Sequence, residues 1–104
     1  MDKENKPRIE LVPPRIITAI AAVREFGIIK HNGSETWRAL EPPVFRDKAN
    51  RHWTDYCVAA QIHHLGVIFS NGIDKESGLP SLWHLACNIA FLIEKGDGEW
   101  GLKK

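Results

Sequence analysis

The sequence has few cysteines and no paired metal-ligand motif. Its two cysteines among 104 residues, Cys57 and Cys87, lie 30 residues apart in apolar stretches, without a C-x2-C motif. This spacing excludes a disulfide framework and predicts two buried thiols in a reducing compartment. His63 and His64 are adjacent and point to different faces of a helix, so no structural zinc site is indicated. Neither cysteine has the cationic, exposed setting of a catalytic nucleophile.

An excess of charge of one sign is also missing. The sequence has 14 Lys and Arg residues against 13 Asp and Glu residues, a net charge of +1, which excludes a broad cationic surface for binding nucleic acid without sequence preference. The N-terminal residues carry charges where a signal peptide needs an apolar run, and no stretch reaches the roughly 18 apolar residues of a membrane span. We therefore expect a cytoplasmic protein. The phosphate-binding loops G-x-x-x-x-G-K-[ST] and G-x-G-x-x-G do not occur either.

What remains is the composition of one small globular domain. The chain is 43% hydrophobic and 26% charged, which is ordinary for a folded protein of this length. We predict a loosely attached polar arm over residues 1–10, a helical domain over residues 11–95 and a polar tail over residues 96–104. No convincing alternating strand pattern is present, and this predicts an all-α fold.

Apolar periodicity predicts a small bundle of three main helices with a long loop after the first. The first helix covers residues 15–29 and follows two prolines, which the first helical turn tolerates. Turn signals at Asn-Gly and Pro-Pro place residues 30–46 in the loop, with a short helical turn around Trp37. The second helix covers residues 47–70, and the third follows Leu79-Pro80-Ser81 and ends near Lys95. Apolar residues surround the third helix almost completely, so we predict that it is central.

The predicted second helix has two apolar stripes. One of them consists of Trp53, Cys57, Ala60, His64 and Ile68. The wetter face consists of Arg51, Asp55, Ala59 and His63. Two apolar stripes mean that the helix is covered on more than one side, and in so short a chain this favours contact with another subunit. We therefore expect a homo-oligomer that completes the bundle.

Polar side chains interrupt the two most apolar helices. His84 and Asn88 share one face of the third helix, and Gln61 and His64 lie three residues apart on the second. If the two helices are antiparallel about the connector, these four groups lie at similar depth. They form either a self-satisfied hydrogen-bonded layer that fixes the helix register or a ligand pocket that reads a base or ribose. An unpaired buried group costs roughly 1–3 kcal/mol, so either arrangement must supply partners.

Basic residues gather near the end of the first helix and in the loop that follows. These residues are Arg15, Arg24, Lys30 and Arg38. Lys30 either favours the helix dipole or pairs with a phosphate while the Trp37 indole stacks on a base, a contact worth roughly 1–3 kcal/mol. In the connector before the third helix, Asp74 and Glu76 are either solvated charges and caps or ligands of a hard cation such as Mg²⁺.

Four segments carry a resemblance to a known family. They are LVPP (residues 11–14), FGIIKH (residues 26–31) through Trp37, DKESGLP (residues 74–80) and HLACN (residues 84–88). Together they resemble the dATP/dGTP diphosphohydrolase N-terminal domain, a phage family related to MazG-like nucleotide pyrophosphohydrolases. The resemblance implies an all-helical, oligomeric protein that handles purine nucleotides. The candidate residues carried over by position are Lys30, Trp37, His64, Asp74, Glu76, His84 and Asn88.

One departure from the MazG-like pattern bears on activity. Those hydrolases hold Mg²⁺ with E-x-x-E and E-x-x-D motifs on facing helices, whereas residues 47–70 of this chain contain no glutamate. The sequence therefore favours a protein that holds a purine nucleotide, or a nucleotide-derived immune signal, without cleaving it. Such a binder requires no cofactor, and its ligand-binding residues are Lys30, Trp37, Arg38, His64, His84 and Asn88.

Two alternatives stay open. The first is a Mg²⁺-dependent dATP/dGTP pyrophosphohydrolase with the metal on Asp74 and Glu76 and with His64 or His84 as the base. The second is a non-catalytic interaction module whose polar layer is merely structural.

Overall fold

A computed structural model describes the backbone of residues 6–64 and 72–102, and the side chains of these residues apart from 62–64. Three α-helices account for most of the described chain: α1 (Pro14–His31), α2 (Pro42–His64) and α3 (Ser81–Glu94). Two short 3₁₀ helices, Ile9–Leu11 and Thr36–Ala39, precede α1 and α2. Over the described residues there is no β-strand, so the predicted all-α bundle is confirmed.

Helix α1 begins and ends where local chemistry requires. Pro14 occupies the first turn, in which an amide hydrogen has no helical partner. Asn32 ends the helix with a left-handed φ of 56°, and its backbone N–H donates to the Ile28 carbonyl. Asparagine tolerates this conformation better than most residues. The predicted first helix is therefore confirmed, with one or two residues added at each end.

Helix α2 begins five residues earlier than predicted. Pro42 and Pro43 open the helix instead of belonging to the loop, and the Val44 N–H donates to the Glu41 carbonyl at 3.0 Å. Proline fixes φ near its helical value, so it suits the first turn as well as a loop. The predicted end of this helix, at residues 65–71, lies outside the described residues. The predicted turn around Trp37 is confirmed as the second 3₁₀ helix.

The buried face of α2 is also different from the predicted one. Ala59, assigned to the wetter face, is 8% exposed, whereas Trp53 is 49% exposed and Cys57 is exposed. The face that packs inwards contains Phe45 and His52. A shift of one residue along a helix rotates the face by about 100°. In the single chain the predicted apolar stripe through Trp53 is therefore exposed, and so is the Cys57 thiol, which was predicted to be buried.

Helices α2 and α3 run antiparallel. Phe45, in the first turn of α2, packs against Phe91 near the end of α3, and His52 stacks on His84 near the start of α3. Helix α3 also contacts α1 and is in this sense central. It is not covered all round, however, because Leu82 and Ile93 stay exposed. The prediction of an almost completely covered third helix is therefore wrong for the single chain.

A closed turn over residues 72–80 leads into α3. The Asp74 N–H donates to the Leu79 carbonyl at 2.8 Å, and the Gly78 N–H donates back to the Asp74 carbonyl at 2.8 Å. The Ser81 N–H donates to the Gly72 carbonyl at 2.7 Å. Gly72 and Gly78 both have a φ of +74°, which side-chain-bearing residues rarely adopt. The turn therefore holds its side chains in fixed positions beside α3.

The segment after α3 is tied back to α2. The Arg46 guanidinium donates two hydrogen bonds to the Asp97 carboxylate, at 2.7 and 3.1 Å. These bonds lower the pKa of Asp97 and raise that of Arg46. Within the described chain, no helix combines the length and apolarity needed to cross a membrane.

Candidate functional site

A cavity of about 430 Å³ opens between α1, the second 3₁₀ helix, α2, the closed turn and α3. This volume lies in the range of about 300–1,000 Å³ that is usual for small-molecule sites. The predicted site residues that line it are Lys30, Trp37, Asp74, Glu76, His84 and Asn88. Arg38 does not line the cavity, and the side chain of His64 lies outside the described residues. The structure thus brings together six residues from two separate stretches of the sequence, 30–37 and 74–88.

Aromatic and apolar side chains form one wall of the cavity. Trp37 and Phe91 stack nearly parallel, with their ring centroids 4.5 Å apart, and Phe45 tilts against Phe91 at 5.1 Å. Val23 and Cys87 line the same cavity. Burial raises the pKa of the Cys87 thiol to about 11, so this sulfur is an uncharged wall atom.

The Trp37 indole is already engaged on its ring faces. Besides Phe91, the Arg38 guanidinium carbon lies 4.5 Å from the indole centroid and the Lys95 ammonium 5.7 Å from it. A stacked phenyl ring and a guanidinium at these distances leave no free face for a third group. A base can therefore stack on Trp37 only if the exposed Arg38 moves away, and otherwise it meets the edge of the ring.

Two stacked imidazoles form the polar wall. The rings of His52 and His84 lie 4.7 Å apart, inclined at 13°. Burial lowers the pKa of His84, and the neighbouring His52 lowers it further. Burial also lowers the pKa of His52, although Asp74 and Asp55 oppose this. Both rings are therefore neutral near pH 7, and each offers one donor and one acceptor. The Nδ1 atom of His52 is buried without a hydrogen-bond partner.

His84 is held by the closed turn. Its Nε2 atom lies 2.6 Å from the Ser77 hydroxyl, which also accepts the Leu79 N–H at 3.1 Å. Asn88, one turn further along α3, donates its amide to the His84 carbonyl at 2.9 Å. These bonds fix the imidazole and the carboxamide beside the cavity and leave both residues lining it.

The predicted four-residue polar layer is wrong in its membership. Gln61 is exposed, and His52 occupies the place opposite His84. His52 precedes His64 by about three helical turns, so the two helices meet further from the connector than a short hairpin predicts. His52, whose imidazole stacks on His84 and has an unpaired Nδ1 atom, is therefore a site residue that the sequence pattern missed. Its spacing of seven from Phe45 and from Ala59, both buried, is the signal that would have found it.

The two acidic residues of the closed turn already have partners. The Ser77 N–H donates to the Asp74 carboxylate at 2.9 Å. Partial burial opposes ionisation of Asp74, but the Ser77 hydrogen bonds and the two imidazoles outweigh it, so its pKa is lowered. The Lys30 ammonium donates to the Glu76 carboxylate at 2.6 Å.

In the structure the Glu76 carboxylate pairs with the Lys30 ammonium, and the Asp74 carboxylate accepts the Ser77 N–H and faces the His84 imidazole. Mg²⁺ binding needs free carboxylate oxygens, so Glu76 would have to leave Lys30 to bind the ion. Over residues 6–64 and 72–102, no group of three or more His, Cys, Asp or Glu side chains is placed to hold a metal ion.

The side chains of Arg24, His31, Lys48 and Arg51 also line the cavity. Arg24 belongs to the basic group predicted near the end of the first helix, whereas Arg51 was predicted to lie on the wetter face of the second helix and Lys48 was not singled out. A second, more open cavity lies on the other side of the His52 wall and shares Arg51, His52 and Asp74 with the first.

Comparison with known proteins gives one match. The family model described as dATP/dGTP diphosphohydrolase, N-terminal, matches residues 1–100. No curated protein and no solved structure matches the chain.

Proposed function

Since the chain belongs to the dATP/dGTP diphosphohydrolase N-terminal family, we propose that it binds a purine nucleoside phosphate in the cavity beside α3. The observation that carries this proposal is the composition of the walls. One cavity combines neutral imidazoles and a carboxamide, an aromatic wall and several cationic side chains. A purine nucleotide combines hydrogen-bonding edges, an apolar ring and anionic phosphates, which the polar groups, the ring edges of the aromatic wall and the cations can each contact.

The phosphates are assigned to the cationic side of the cavity. Lys30, in the last turn of α1, and Arg51, on α2, line it together with Lys48. Charge-assisted hydrogen bonds to phosphate are shorter and stronger than neutral ones. The small net charge of the chain does not oppose phosphate binding. A bound anion needs cations only at its own site, and the cavity supplies them there.

The base is assigned to the imidazole side. His52 and His84 are neutral, and the buried Nδ1 atom of His52 has no partner in the protein. An orphaned buried polar atom costs roughly 1–3 kcal/mol, which a ligand hydrogen bond offsets. Asn88 adds a carboxamide, which can form paired hydrogen bonds with the edge of a purine.

We propose further that the ligand is held without being cleaved. The support is the sequence of residues 47–70, which contains no glutamate for the paired acidic motif by which MazG-like hydrolases hold Mg²⁺. The resemblance to phage proteins extends the ligand class to nucleotide-derived immune signals, which such a protein would sequester. Hydrolysis of dATP or dGTP is the second candidate, and the family match favours it.

The experiment separates binding from turnover. Purified protein is incubated with dGTP or dATP, with Mg²⁺ or with EDTA, and both the melting temperature and the integrity of the ligand are measured. We expect a higher melting temperature with the nucleotide intact, because a ligand that binds the folded state stabilises it. Cleavage that disappears in Asp74→Ala would establish the hydrolase. No response to either nucleotide would contradict the proposed function.

A charge variant locates the phosphates. Lys30→Met is expected to weaken dGTP binding by about ten- to a hundredfold, because a hydrogen bond to a charged group contributes about 1.5–3 kcal/mol. Lys75→Met is the matched control, since Lys75 is exposed on the closed turn and does not line the cavity. Equal loss of affinity in both variants would contradict the assignment.

We also propose that a second copy of the chain completes the bundle. The radius of gyration of the chain is 16.1 Å, whereas a compact domain of this length has about 13 Å. Exposed apolar side chains of α2 and α3 that do not line the cavity include Trp53, Val58, Leu82, Ile89 and Ile93. Burying them between two copies would remove apolar surface that the single chain leaves in water.

A further inference from the structure

Several of the cations that line the cavity are paired with carboxylates. Arg24 lies 3.8 Å from Glu35, and Lys30 lies 2.6 Å from Glu76. Of these two carboxylates, only that of Glu76 belongs to a residue lining the cavity. The Lys30 ammonium, to which the proposed function assigns a phosphate, is thus already occupied by an anion from the protein itself.

The Lys30–Glu76 pair can open without disturbing the fold. Both side chains are substantially exposed, at 41% and 59%. Exposed ion pairs contribute little to stability. The backbone around Glu76 is fixed independently by the hydrogen bonds of the closed turn. In this turn the Asp74 N–H donates to the Leu79 carbonyl and the Gly78 N–H donates to the Asp74 carbonyl. Rotation of the Glu76 side chain into solvent is therefore sufficient to free the ammonium.

We propose that Glu76 is an exchangeable counter-ion that a ligand phosphate replaces on Lys30. This inference rests on the proposed function, because it takes the cavity to be a nucleotide site. It gives Glu76 a role opposite to that of a metal ligand: its carboxylate competes with the phosphate for the ammonium. A ligand without a phosphate does not replace it, so Glu76 lowers the affinity for nucleotides and leaves the affinity for nucleosides and uncharged ring compounds unchanged.

The two roles predict opposite effects of one variant. If Glu76 competes with phosphate, Glu76→Gln removes the competitor and tightens dGTP binding in EDTA by about two- to fivefold, the equivalent of an exposed ion pair. If Glu76 instead holds a metal for the nucleotide, the same variant leaves affinity in EDTA unchanged and weakens it in Mg²⁺. Titration calorimetry in each buffer distinguishes these outcomes, and circular dichroism checks that the variant is folded.

Two controls isolate the effect. Glu25→Gln removes the same charge from an exposed position on α1 outside the cavity, and we expect it to leave dGTP affinity unchanged. Deoxyguanosine, which has no phosphate, is expected to bind Glu76→Gln and wild type equally. If Glu25→Gln tightened dGTP binding equally, the effect would come from the change in net charge, and the inference would be overturned.

Failure of this inference is distinguishable from failure of the proposed function. If wild type binds dGTP and Lys30→Met weakens binding, but Glu76→Gln does not tighten it, the exchange is refuted and the nucleotide site stands. If wild type binds neither dGTP nor dATP, both are refuted.

Discussion

On α3, the face toward the cavity buries Ser81, His84 and Asn88, whereas the opposite face leaves Leu82 and Ile93 in solvent. The usual arrangement is the reverse, because burying apolar surface stabilises a fold by roughly 25 cal/mol per Å². Polar groups can be inside here because the closed turn and the helix backbone supply their partners. This difference shows that the helices of the domain pack around the cavity and not around a large apolar core.

The largest effect is expected from the apolar residue that does pack at the cavity. Phe45 is 2% exposed and contacts Phe91, so Phe45→Ala should lower the free energy of unfolding by about 3–5 kcal/mol. Ile93→Ala, on the opposite face of α3, should change it by no more than about 0.5 kcal/mol in a single chain. Urea denaturation followed by circular dichroism measures both.

The same pair of variants also tests the proposed second copy. If a second copy covers the outer face, Ile93→Ala lowers stability in proportion to the apolar area it removes, and light scattering shows a loss of the larger species. A dependence of the wild-type midpoint on protein concentration would accompany this. If the protein is a monomer at all concentrations, the proposed oligomer is contradicted. The contrast between the two faces of α3 would be unaffected by that result.

The reactivity of the two thiols allows the exposed surface of α2 to be compared with the wall of the cavity. Cys57 is exposed on α2, whereas Cys87 is buried beside the cavity with its pKa raised from 9.0 to about 11. A rise of two pKa units lowers the thiolate fraction about a hundredfold near neutral pH, so labelling by a disulfide reagent should proceed in a fast and a slow phase. Cys57→Ser should remove the fast phase. Two equally fast thiols would show that the cavity wall opens freely.

Much of the fold could be predicted because proline and glycine mark its boundaries. Pro14 lies at the start of one periodic apolar segment, and Gly96 lies just after the end of another. The sequence therefore predicts α1 and α3. The family was also identified correctly from short segments. Pro42 was misleading because a proline pair is equally compatible with a loop and with a first helical turn, and only packing decides between them.

The composition of the site was harder to predict, for physical reasons. The predicted site residues Lys30, Trp37, His84 and Asn88 line one cavity, and their roles remain proposals. The partner of His84 depends on the register of two antiparallel helices, and a register cannot be calculated without knowing where the connector begins. His52 was missed for that reason.

A smaller effect is expected from pH, and it tests whether the imidazoles are buried as described. The pKa values of His52 and His84 are lowered from 6.5, chiefly by burial, so below pH 6.5 the unfolded chain binds more protons than the folded one. Stability should therefore fall as pH decreases from 6.5. Asp55, Asp74 and Glu76 oppose the shifts, while Lys30, Lys48 and Arg51 reinforce them.

Melting temperatures between pH 7.5 and 5 measure this dependence. His52→Gln should flatten the decline, because a glutamine cannot take up the proton. His31→Gln, which changes an exposed histidine at the end of α1, should keep the wild-type slope. An unchanged slope in His52→Gln would show that the stacked pair is hydrated and not buried.

The sandwiched indole gives the cavity an optical reporter of its own. Trp53 and Trp100 are 49% and 80% exposed, so acrylamide quenches their fluorescence first. Trp37 is shielded from the quencher by Phe91 and Arg38. Emission that survives the quencher therefore comes mainly from the interior tryptophans. A molecule entering the cavity perturbs this residual fluorescence directly, which allows occupancy to be followed in real time without attaching a dye.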